Sequence, residues 1–409
     1  MTKLSLGVGL VLASLLLGSP ASAVVGTIDA VPAATLLLPY FEVDIANTNG
    51  INTLFSINNA SNLAVLAHVT IWTDQSVPVL NFDVYLTGYD VQTISLRDVF
   101  VNGILPRTAS TGKDPTDTIS PQGPLSQDVN FASCSGLPYT SPALGATLLA
   151  HVRASLQGNP STLFGGNCAG SKQPDTDILR GYVTVDTVNA CNQNPPSAWS
   201  SYAPTLTNQN VLWGTVFYID SAQNFAQGDT LVHIEACSTC FTPGDHTFYG
   251  RYNGATAADA REPLPTTMAA VYQNGGALTA GTDYLVWRET NAAAAPYNCS
   301  LPGPPSWYPL SFFQVLFFDE QEDVTDAEEC WWGIPGCTPQ VMIPNAANRI
   351  ETSYELTPPY DFGWMHLNLQ HPAITYPDPY AQMWLTTVQE ADGRFSVGFP
   401  ALQLDNANQ

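Results

Sequence analysis

A two-residue alternation of apolar and polar side chains constrains the fold of this chain more than any other feature. Over residues 80–86 the alternating positions are Leu80, Phe82, Val84 and Leu86 on one side and Asn81, Asp83 and Tyr85 on the other. A period of two is that of a β-strand, whose successive side chains point to opposite faces of a sheet. One apolar and one polar set predict an antiparallel sheet with one buried and one wet face. Residues 64–73 alternate in the same way.

Similar strand-like runs recur along most of the chain. They lie within residues 35–100 and at 146–156, 181–188, 211–220, 230–235, 282–289, 310–318, 364–369 and 383–399. Asp392 followed by Gly393 predicts a hairpin turn inside the last run. Helical signals predict one short helix over 265–274 and a helical turn starting at Thr325. We therefore predict an all-β fold, an antiparallel β-sandwich architecture with long loops and one or two short helices.

The predicted domain organisation depends on one segment in which apolar residues follow neither the period of a strand nor that of a helix. Residues 106–145 are polar and rich in turn-forming residues, which predicts a long polar loop or linker. This segment separates an N-terminal β-sandwich region, residues 24–105, from a second β-rich region, residues 146–409. A single continuous domain is the alternative, because 409 residues suffice for one large β domain or several smaller ones.

The first 23 residues have the three parts of a secretory signal peptide. Lys3 supplies the positive charge, residues 4–17 are apolar, and Ala21-Ser22-Ala23 is a small-residue cleavage site. The alternative is a retained membrane anchor, which is disfavoured because the apolar stretch is shorter than the ~20 residues needed to span a bilayer. The sequence therefore predicts cleavage after Ala23 and a mature protein that is secreted, at the cell surface or periplasmic.

The net negative charge of the chain limits the classes of binding partner that we expect. Asp and Glu number 35 against 12 Lys and Arg, and the formal net charge of −23 becomes −24 once Lys3 is removed. We expect no nucleic-acid partner, because phosphates are bound by clustered Lys and Arg. We also expect no stable membrane insertion after signal cleavage, because no later apolar run is comparable. Cations, polysaccharides and protein partners at the cell surface fit the composition, which does not predict an oligomeric state.

Cysteine usage predicts a disulfide framework. The eight cysteines are Cys134, Cys168, Cys191, Cys237, Cys240, Cys299, Cys330 and Cys337. An even number in an exported chain favours S–S bonds. The turn-forming residues between Cys330 and Cys337 favour a bond between those two, and a bond between Cys134 and Cys168 would fix the ends of the long loop. Cys237 and Cys240 are candidates for a short-loop disulfide or for two separate disulfides.

The same CxxC pair also suggests a metal site. With His233 before it and His246 after it, Cys237 and Cys240 have a spacing that fits tetrahedral zinc. Zinc needs thiolates, however, and an oxidising compartment favours the disulfide. The disulfide is therefore the preferred interpretation and zinc the alternative.

A run of acidic residues suggests calcium. Within residues 319–329 the carboxylates considered as ligands are Asp319, Glu320, Glu322, Asp323 and Asp326. Calcium takes six to eight oxygen ligands, but the spacing is not that of an EF-hand. The competing interpretation is a solvated acidic loop. We expect no other cofactor.

No catalytic motif is present. The sequence contains no Gly-x-Ser-x-Gly, no His-Glu-x-x-His and no glycine-rich phosphate loop. A glycosidase would need two carboxylates across a cleft, for which Asp319 and Glu320 are the first candidates. Exposed aromatic side chains stack on sugar rings, and Trp72, Trp331, Trp332 and Trp364 are candidates for this role.

Four stretches resemble known sequences. They are LLPYFEVD at 37–44, YLTGYDVQT at 85–93, FFDEQ at 317–321 and FSVGF at 395–399. They resemble a group of exported bacterial β-rich proteins to which no activity is assigned. The resemblance implies a β-rich exported protein over most of the mature chain and implies no catalytic or binding residue.

These observations favour a non-enzymatic protein with a structural or surface-interaction role. The alternatives are a carbohydrate-binding protein that uses exposed aromatic residues, or a glycoside-acting hydrolase that uses paired carboxylates. An aromatic surface on a sheet would favour carbohydrate binding, and two facing carboxylates in a cleft would favour the hydrolase.

Overall fold

The alternating runs form antiparallel strands, which confirms the predicted fold class. The computed structural model describes residues 31–106, 144–172, 177–253, 259–275, 281–300, 315–326, 343–352, 360–369, 381–390 and 396–406, except 192, 243, 291–293, 344 and 401; beyond 390 it describes the backbone alone. The strands of this part are β1 (Thr35–Asp44), β2 (Asn52–Asn59), β3 (Val65–Thr73), β4 (Pro78–Leu86), β5 (Val91–Ser95), β6 (Ile178–Val188), β7 (Leu212–Asp220), β8 (Phe225–Thr230), β9 (Val232–Ile234), β10 (Pro265–Gln273), β11 (Gly281–Arg288), β12 (Val315–Phe318), β13 (Val324–Asp326), β14 (Ala347–Glu351), β15 (Phe362–Asn368), β16 (Met383–Glu390), β17 (Ser396–Pro400) and β18 (Leu402–Asn406).

Several predictions concern residues outside this part of the chain. They are the signal peptide with its cleavage site, most of the segment 106–145, the hairpin turn at Asp392 and Gly393, and Cys134, Cys330, Cys337, Trp331 and Trp332.

The strands form four antiparallel sheets. Sheet 1 has the order β4-β3-β6-β1-β9, sheet 2 is β5-β2-β7-β8, sheet 3 is β14-β11-β16-β17 and sheet 4 is β13-β12-β15-β10-β18. Strands from both sides of segment 106–145 pair within sheets 1 and 2, since β6 lies between β3 and β1, and β7 pairs with β2.

Sheets 1 and 2 pack face to face around the larger of the hydrophobic cores. One alternate set of β7 side chains is buried in it, namely Leu212, Val216 and Tyr218, together with Phe55 and Ile57 of β2. Sheets 3 and 4 form a second sandwich. Its core contains Met268 and Tyr272 of β10, Tyr284 of β11 and Leu385 of β16, among others.

The two sandwiches contact each other through sheets 1 and 3 and, at the sheet edges, through β8 of sheet 2 and β17 of sheet 3. Leu285 and Trp287 of β11 belong to the core of the first sandwich. The Trp287 ring meets the Tyr182 ring of β6 edge-on, with centroids 6.0 Å apart, and Tyr182 in turn stacks on Trp72 of β3 at 5.5 Å. Sheet 1 is therefore covered on both faces, which makes sheets 2 and 4 the outer layers.

Three local predictions are wrong. Residues 146–156, predicted as a strand, form helix α1 (Ala146–Leu156), because its partly or fully buried Leu148, Leu149, Val152 and Leu156 recur with helical spacing. Conversely, the predicted helix 265–274 is strand β10, in which buried and more exposed positions alternate from Met268 onward. Thr325 lies within strand β13 and does not start a helix.

The remaining α-helices of the described part are single turns, α2 (Trp199–Tyr202) and α3 (Gly250–Asn253). The predicted wet face of β4 is also wrong. Tyr85 is buried, and Asp83 contacts His68 of β3 at 2.7 Å with both side chains fully buried.

A buried network of polar side chains connects sheet 1 to the residues that cover it. The Asp186 Oδ2 atom in β6 accepts hydrogen bonds from the hydroxyls of Tyr202, at 2.6 Å, and Tyr249, at 2.7 Å. The Arg261 Nε atom donates to Asp186 Oδ1 at 3.3 Å, and its guanidinium also contacts Asp259 at 3.6 Å. Among the described residues, Arg261 is the only cation that contacts the Asp186 and Asp259 carboxylates.

We expect Arg261→Leu to lower the free energy of unfolding by about 3–5 kcal/mol, because it leaves buried carboxylates without their counterion. Urea unfolding measures the change. Lys172→Leu removes an exposed cation and serves as the control, with an expected change within about 0.5 kcal/mol. Equal effects of the two substitutions would contradict the structural role of Arg261.

Candidate functional site

The disulfides of the described part join Cys168 to Cys299 and Cys237 to Cys240. The predicted pairing of Cys168 with Cys134 is wrong. Cys168 forms backbone hydrogen bonds in both directions with Tyr297, at 2.9 and 2.8 Å, and this pairing brings Cys299 to it. Cys191 is also disulfide-bonded.

The four zinc candidates do not form a site. Cys237 and Cys240 are bonded to each other, which leaves no thiolate for a metal. His233 is buried in β9, where its Nε2 atom accepts the Gly214 N–H at 3.2 Å, and burial lowers its pKa. His246 lies 3.0 Å from the Glu289 carboxylate. Among the described residues, no three His, Cys, Asp or Glu side chains are arranged to hold a metal ion.

The acidic run lies at the turn between β12 and β13. Asp319 Oδ1 accepts the backbone N–H groups of Gln321, at 2.8 Å, and Asp323, at 2.9 Å, so this carboxylate stabilises the turn. Glu320 and Glu322 are exposed, and the side chain of Asp326 is outside the described part. Calcium binding at this turn stays a prediction.

The aromatic candidates differ in exposure. Trp72 is fully buried and its Nε1 atom donates to Thr184, so its predicted role as an exposed sugar platform is wrong. Trp364 lies on the outer face of sheet 4, where its ring stacks on Phe318 with centroids 4.0 Å apart and planes within 5°. Each of these two rings covers one face of the other, which reduces the ring surface left for a ligand.

The outer face of sheet 2 carries an exposed aromatic platform that sequence analysis missed. Phe217 on the inner strand β7 is 49% exposed, and Ile219, two residues further along the strand, is 38% exposed. Phe217 pairs in register with Gly228 of β8. A Cβ atom on Gly228 would lie only 2.9 Å from Phe217 Cε1 and 3.1 Å from Cδ1, so the ring lies directly over the glycine. The glycine lets the ring rest against the sheet with much of its surface in solvent.

The positions around Phe217 on this face are uncharged. The outward side of sheet 2 consists of Asn52, Leu54, Ser56, Asn58, Val91, Thr93, Ser95, Trp213, Thr215, Phe217, Ile219, Ala226, Gly228 and Thr230. Val91 is 57% exposed. The Ser56 and Thr215 hydroxyls are hydrogen-bonded to each other at 2.9 Å. We call this surface the Phe217 face.

One signal in the sequence points to this face. Large apolar side chains occupy both alternate sets of β7, with Leu212, Val216 and Tyr218 in one set and Trp213, Phe217 and Ile219 in the other. Only one set can face the core when a sheet is covered on one side. The other set must then be exposed to solvent or to a partner.

A pocket of about 220 Å³ lies where sheets 1, 2 and 3 meet. Its lining residues are Glu42, Ile51, Ile178, Asp220, Gln223, Phe225, Arg349 and Glu390. Glu42 Oε1 contacts Arg180 at 2.9 Å and its Oε2 contacts Arg349 at 3.3 Å. Burial alone would raise the pKa of Glu42, but Arg349 and Arg180 hold it below its usual value. Glu42 therefore stays ionised and is unsuited to act as a general acid.

Asp74, in contrast, has a raised pKa. Burial raises the pKa of this carboxyl to about 6, against the opposing effect of hydrogen bonds from Ser171. Asp74 is only 1% exposed, and its Oδ1 atom accepts the Ser171 N–H at 2.9 Å. Its carbonyl accepts the Ala346 N–H at 2.7 Å. Asp74 joins three segments of backbone and has no accessible surface on which to protonate a substrate.

Comparisons with known proteins give no match: no family model, no curated protein and no solved structure resembles the chain significantly. No helix in the described ranges is both long and apolar enough to cross a membrane.

We expect Asp74→Asn to remove a pH dependence of stability. Because the folded pKa lies above the unfolded value, the wild-type protein binds this proton more tightly when folded and loses stability as pH rises from about 4 to 6. We therefore compare the free energy of unfolding of the variant with that of the wild type at each pH. This difference should favour the variant more at pH 7 than at pH 4, by up to about 3 kcal/mol.

Denaturant unfolding at both pH values measures this difference. Asp361→Asn, at an exposed aspartate, is the matched control and should leave the pH dependence unchanged. The same pH dependence in Asp74→Asn and wild type would contradict the raised pKa.

Proposed function

We propose that the protein is an exported, non-enzymatic binding protein that attaches to a neutral polysaccharide through the Phe217 face. The observation that carries this proposal is the Phe217 ring, which lies over Gly228 and is 49% exposed. Exposed apolar groups that lie side by side mark interaction sites. A ring that rests on a sheet presents a flat apolar surface to the C–H groups of a sugar.

The polar groups of the face suit the same ligand. Asn, Ser and Thr side chains surround Phe217, and they donate and accept hydrogen bonds without attracting an ionic partner. The chain as a whole carries a net charge of −23, which disfavours polyanionic polymers. A neutral polymer rich in hydroxyl groups matches both properties.

The size of the face favours a polymer chain over a protein. Four strands about 4.8 Å apart, each with about 20 Å of length, give a surface of roughly 400 Å². A standard protein interface covers about 800 Å² per partner. One glycan chain lying along β7 needs far less area.

The predicted signal peptide supports an extracytoplasmic site of action, and the disulfide pairs are compatible with it. The hydrolase alternative has weaker support. Glu42 is held ionised by two arginines and Asp74 is inaccessible, so neither supplies the accessible protonated carboxyl that a glycosidase requires.

We expect Phe217→Ser to weaken binding of a neutral polysaccharide about tenfold, equivalent to about 1.4 kcal/mol. The measurement is affinity electrophoresis of the mature protein against soluble glucans, mannans and xylans, followed by calorimetry with the polymer that retards it.

Phe362→Ser is the matched control, because Phe362 is 47% exposed on sheet 4. It should bind as the wild type does. Retardation by none of the polymers, or equal loss in both variants, would overturn the proposal.

A further inference from the structure

The disulfide between Cys237 and Cys240 lies at the surface of the molecule. Cys240 and the two residues between the cysteines are exposed, whereas Cys237 is half-buried. The disulfide between Cys168 and Cys299 is less accessible, because Cys168 is only 3% exposed and Cys299 is half-buried. An external thiol therefore has better access to Cys240 than to either cysteine of the other bond.

The two ends of the short loop are held differently. The Asn210 side chain accepts the Ala236 N–H at 2.8 Å and donates to the Ala236 carbonyl at 3.1 Å. The Cys237 N–H donates to the Ala260 carbonyl at 2.7 Å. The Cys240 N–H, in contrast, donates back to the Cys237 carbonyl at 3.4 Å. Two other segments of the chain therefore hold the backbone at Cys237 through bonds that do not involve its sulfur.

The lengths of the closed loops separate the two disulfides further. Cys237 and Cys240 are 3 positions apart, whereas Cys168 and Cys299 are 131 positions apart. In the chain-entropy model a disulfide stabilises the fold by constraining the unfolded chain, and this effect grows with loop length. The short loop therefore stabilises the fold less than the long one, and less stability is lost when it opens.

From access, backbone anchoring and loop length we infer that Cys237–Cys240 is an exchangeable disulfide that oxidises an external dithiol, with the first attack on Cys240. Exposed disulfides are the ones that exchange readily with thiols. This activity is independent of the Phe217 face, so its test does not depend on the proposed function.

The exchange has two steps. A thiolate of the dithiol attacks the Cys240 sulfur, the bond to Cys237 breaks, and Cys237 leaves as a thiolate that takes a proton from water. The second thiolate of the dithiol then attacks the dithiol sulfur in this mixed disulfide and releases Cys240, which is protonated in turn. The dithiol gives up two electrons and two protons and becomes a disulfide, and the two cysteines become thiols.

The anchored backbone makes the exchange reversible. After the first step Cys237 stays in place, three positions from the mixed disulfide on Cys240, and its thiolate can displace the external group. A monothiol is therefore expelled again, whereas a dithiol completes the reduction through its second sulfur. Dithiols are for this reason the class of substrate that the site suits.

The test is a titration of the folded mature protein with dithiothreitol at neutral pH, followed by acid quenching, alkylation and peptide mapping by mass spectrometry. Half-reduction of Cys237–Cys240 should need at least tenfold less dithiothreitol than half-reduction of Cys168–Cys299. The near-UV circular dichroism should be retained at that point, because the backbone hydrogen bonds of Cys237 remain. Reduction of both bonds together, or only with loss of the near-UV signal, would overturn the inference.

Brief treatment with a large excess of glutathione, followed by rapid acid quenching, identifies the sulfur that is attacked. The mixed disulfide should be found on Cys240. Its appearance on Cys237 instead would contradict the attack that the exposure of Cys240 predicts.

The double variant Cys237→Ser/Cys240→Ser is the matched control, because it keeps the backbone hydrogen bonds of the loop. Under the conditions that reduce only the short loop, the wild type should oxidise one equivalent of dithiothreitol per chain more than the double variant does. Equal oxidation by the two proteins would assign the exchange to other cysteines and overturn the inference.

Discussion

The arrangement of the sheets depends on the hydrogen bonds of one buried carboxylate, that of Asp186. It lies fully buried on the central strand of sheet 1 and accepts hydrogen bonds from Tyr202, Tyr249 and Arg261. A buried ion is tolerated only when such partners surround it. Its partners come from distant parts of the sequence, so the network forms only when the strands and the covering segments are all in place. Sheet 1 is thereby closed to solvent, and exposed apolar side chains remain on the outer sheets.

The same principle explains where many of the acidic residues are. Asp83 pairs with His68, Asp283 with Arg349 and Glu289 with His246, all at positions where little carboxylate surface is exposed. Histidines and the few arginines are placed beside buried carboxylates. A strongly acidic chain can therefore display a sheet face with no charged side chain.

Prediction from the sequence succeeded where the signal is local. The strand over 80–86 and the antiparallel pairing of β16 with β17 both appear in the structure, because strand periodicity is a property of neighbouring residues. Helix α1 was predicted as a strand and strand β10 as a helix. Short apolar runs fit either period, and the elements they pack against determine which structure forms. The wet face predicted for β4 was wrong for a similar reason: the sequence does not show which layer covers a strand.

Among the candidate functional residues, too, only those with a local signal were found from the sequence. Chemistry identified the cysteines and the acidic run, but the pairing of Cys168 with Cys299, separated by 131 positions, depends on topology. Phe217 was missed because an apolar residue in a strand is usually part of a core. Its exposed position depends on Gly228 of the neighbouring strand, which contributes no side chain to the face. A larger residue there would lift the ring from the sheet, so the shape of the platform is determined as much by the glycine beneath it as by the phenylalanine itself.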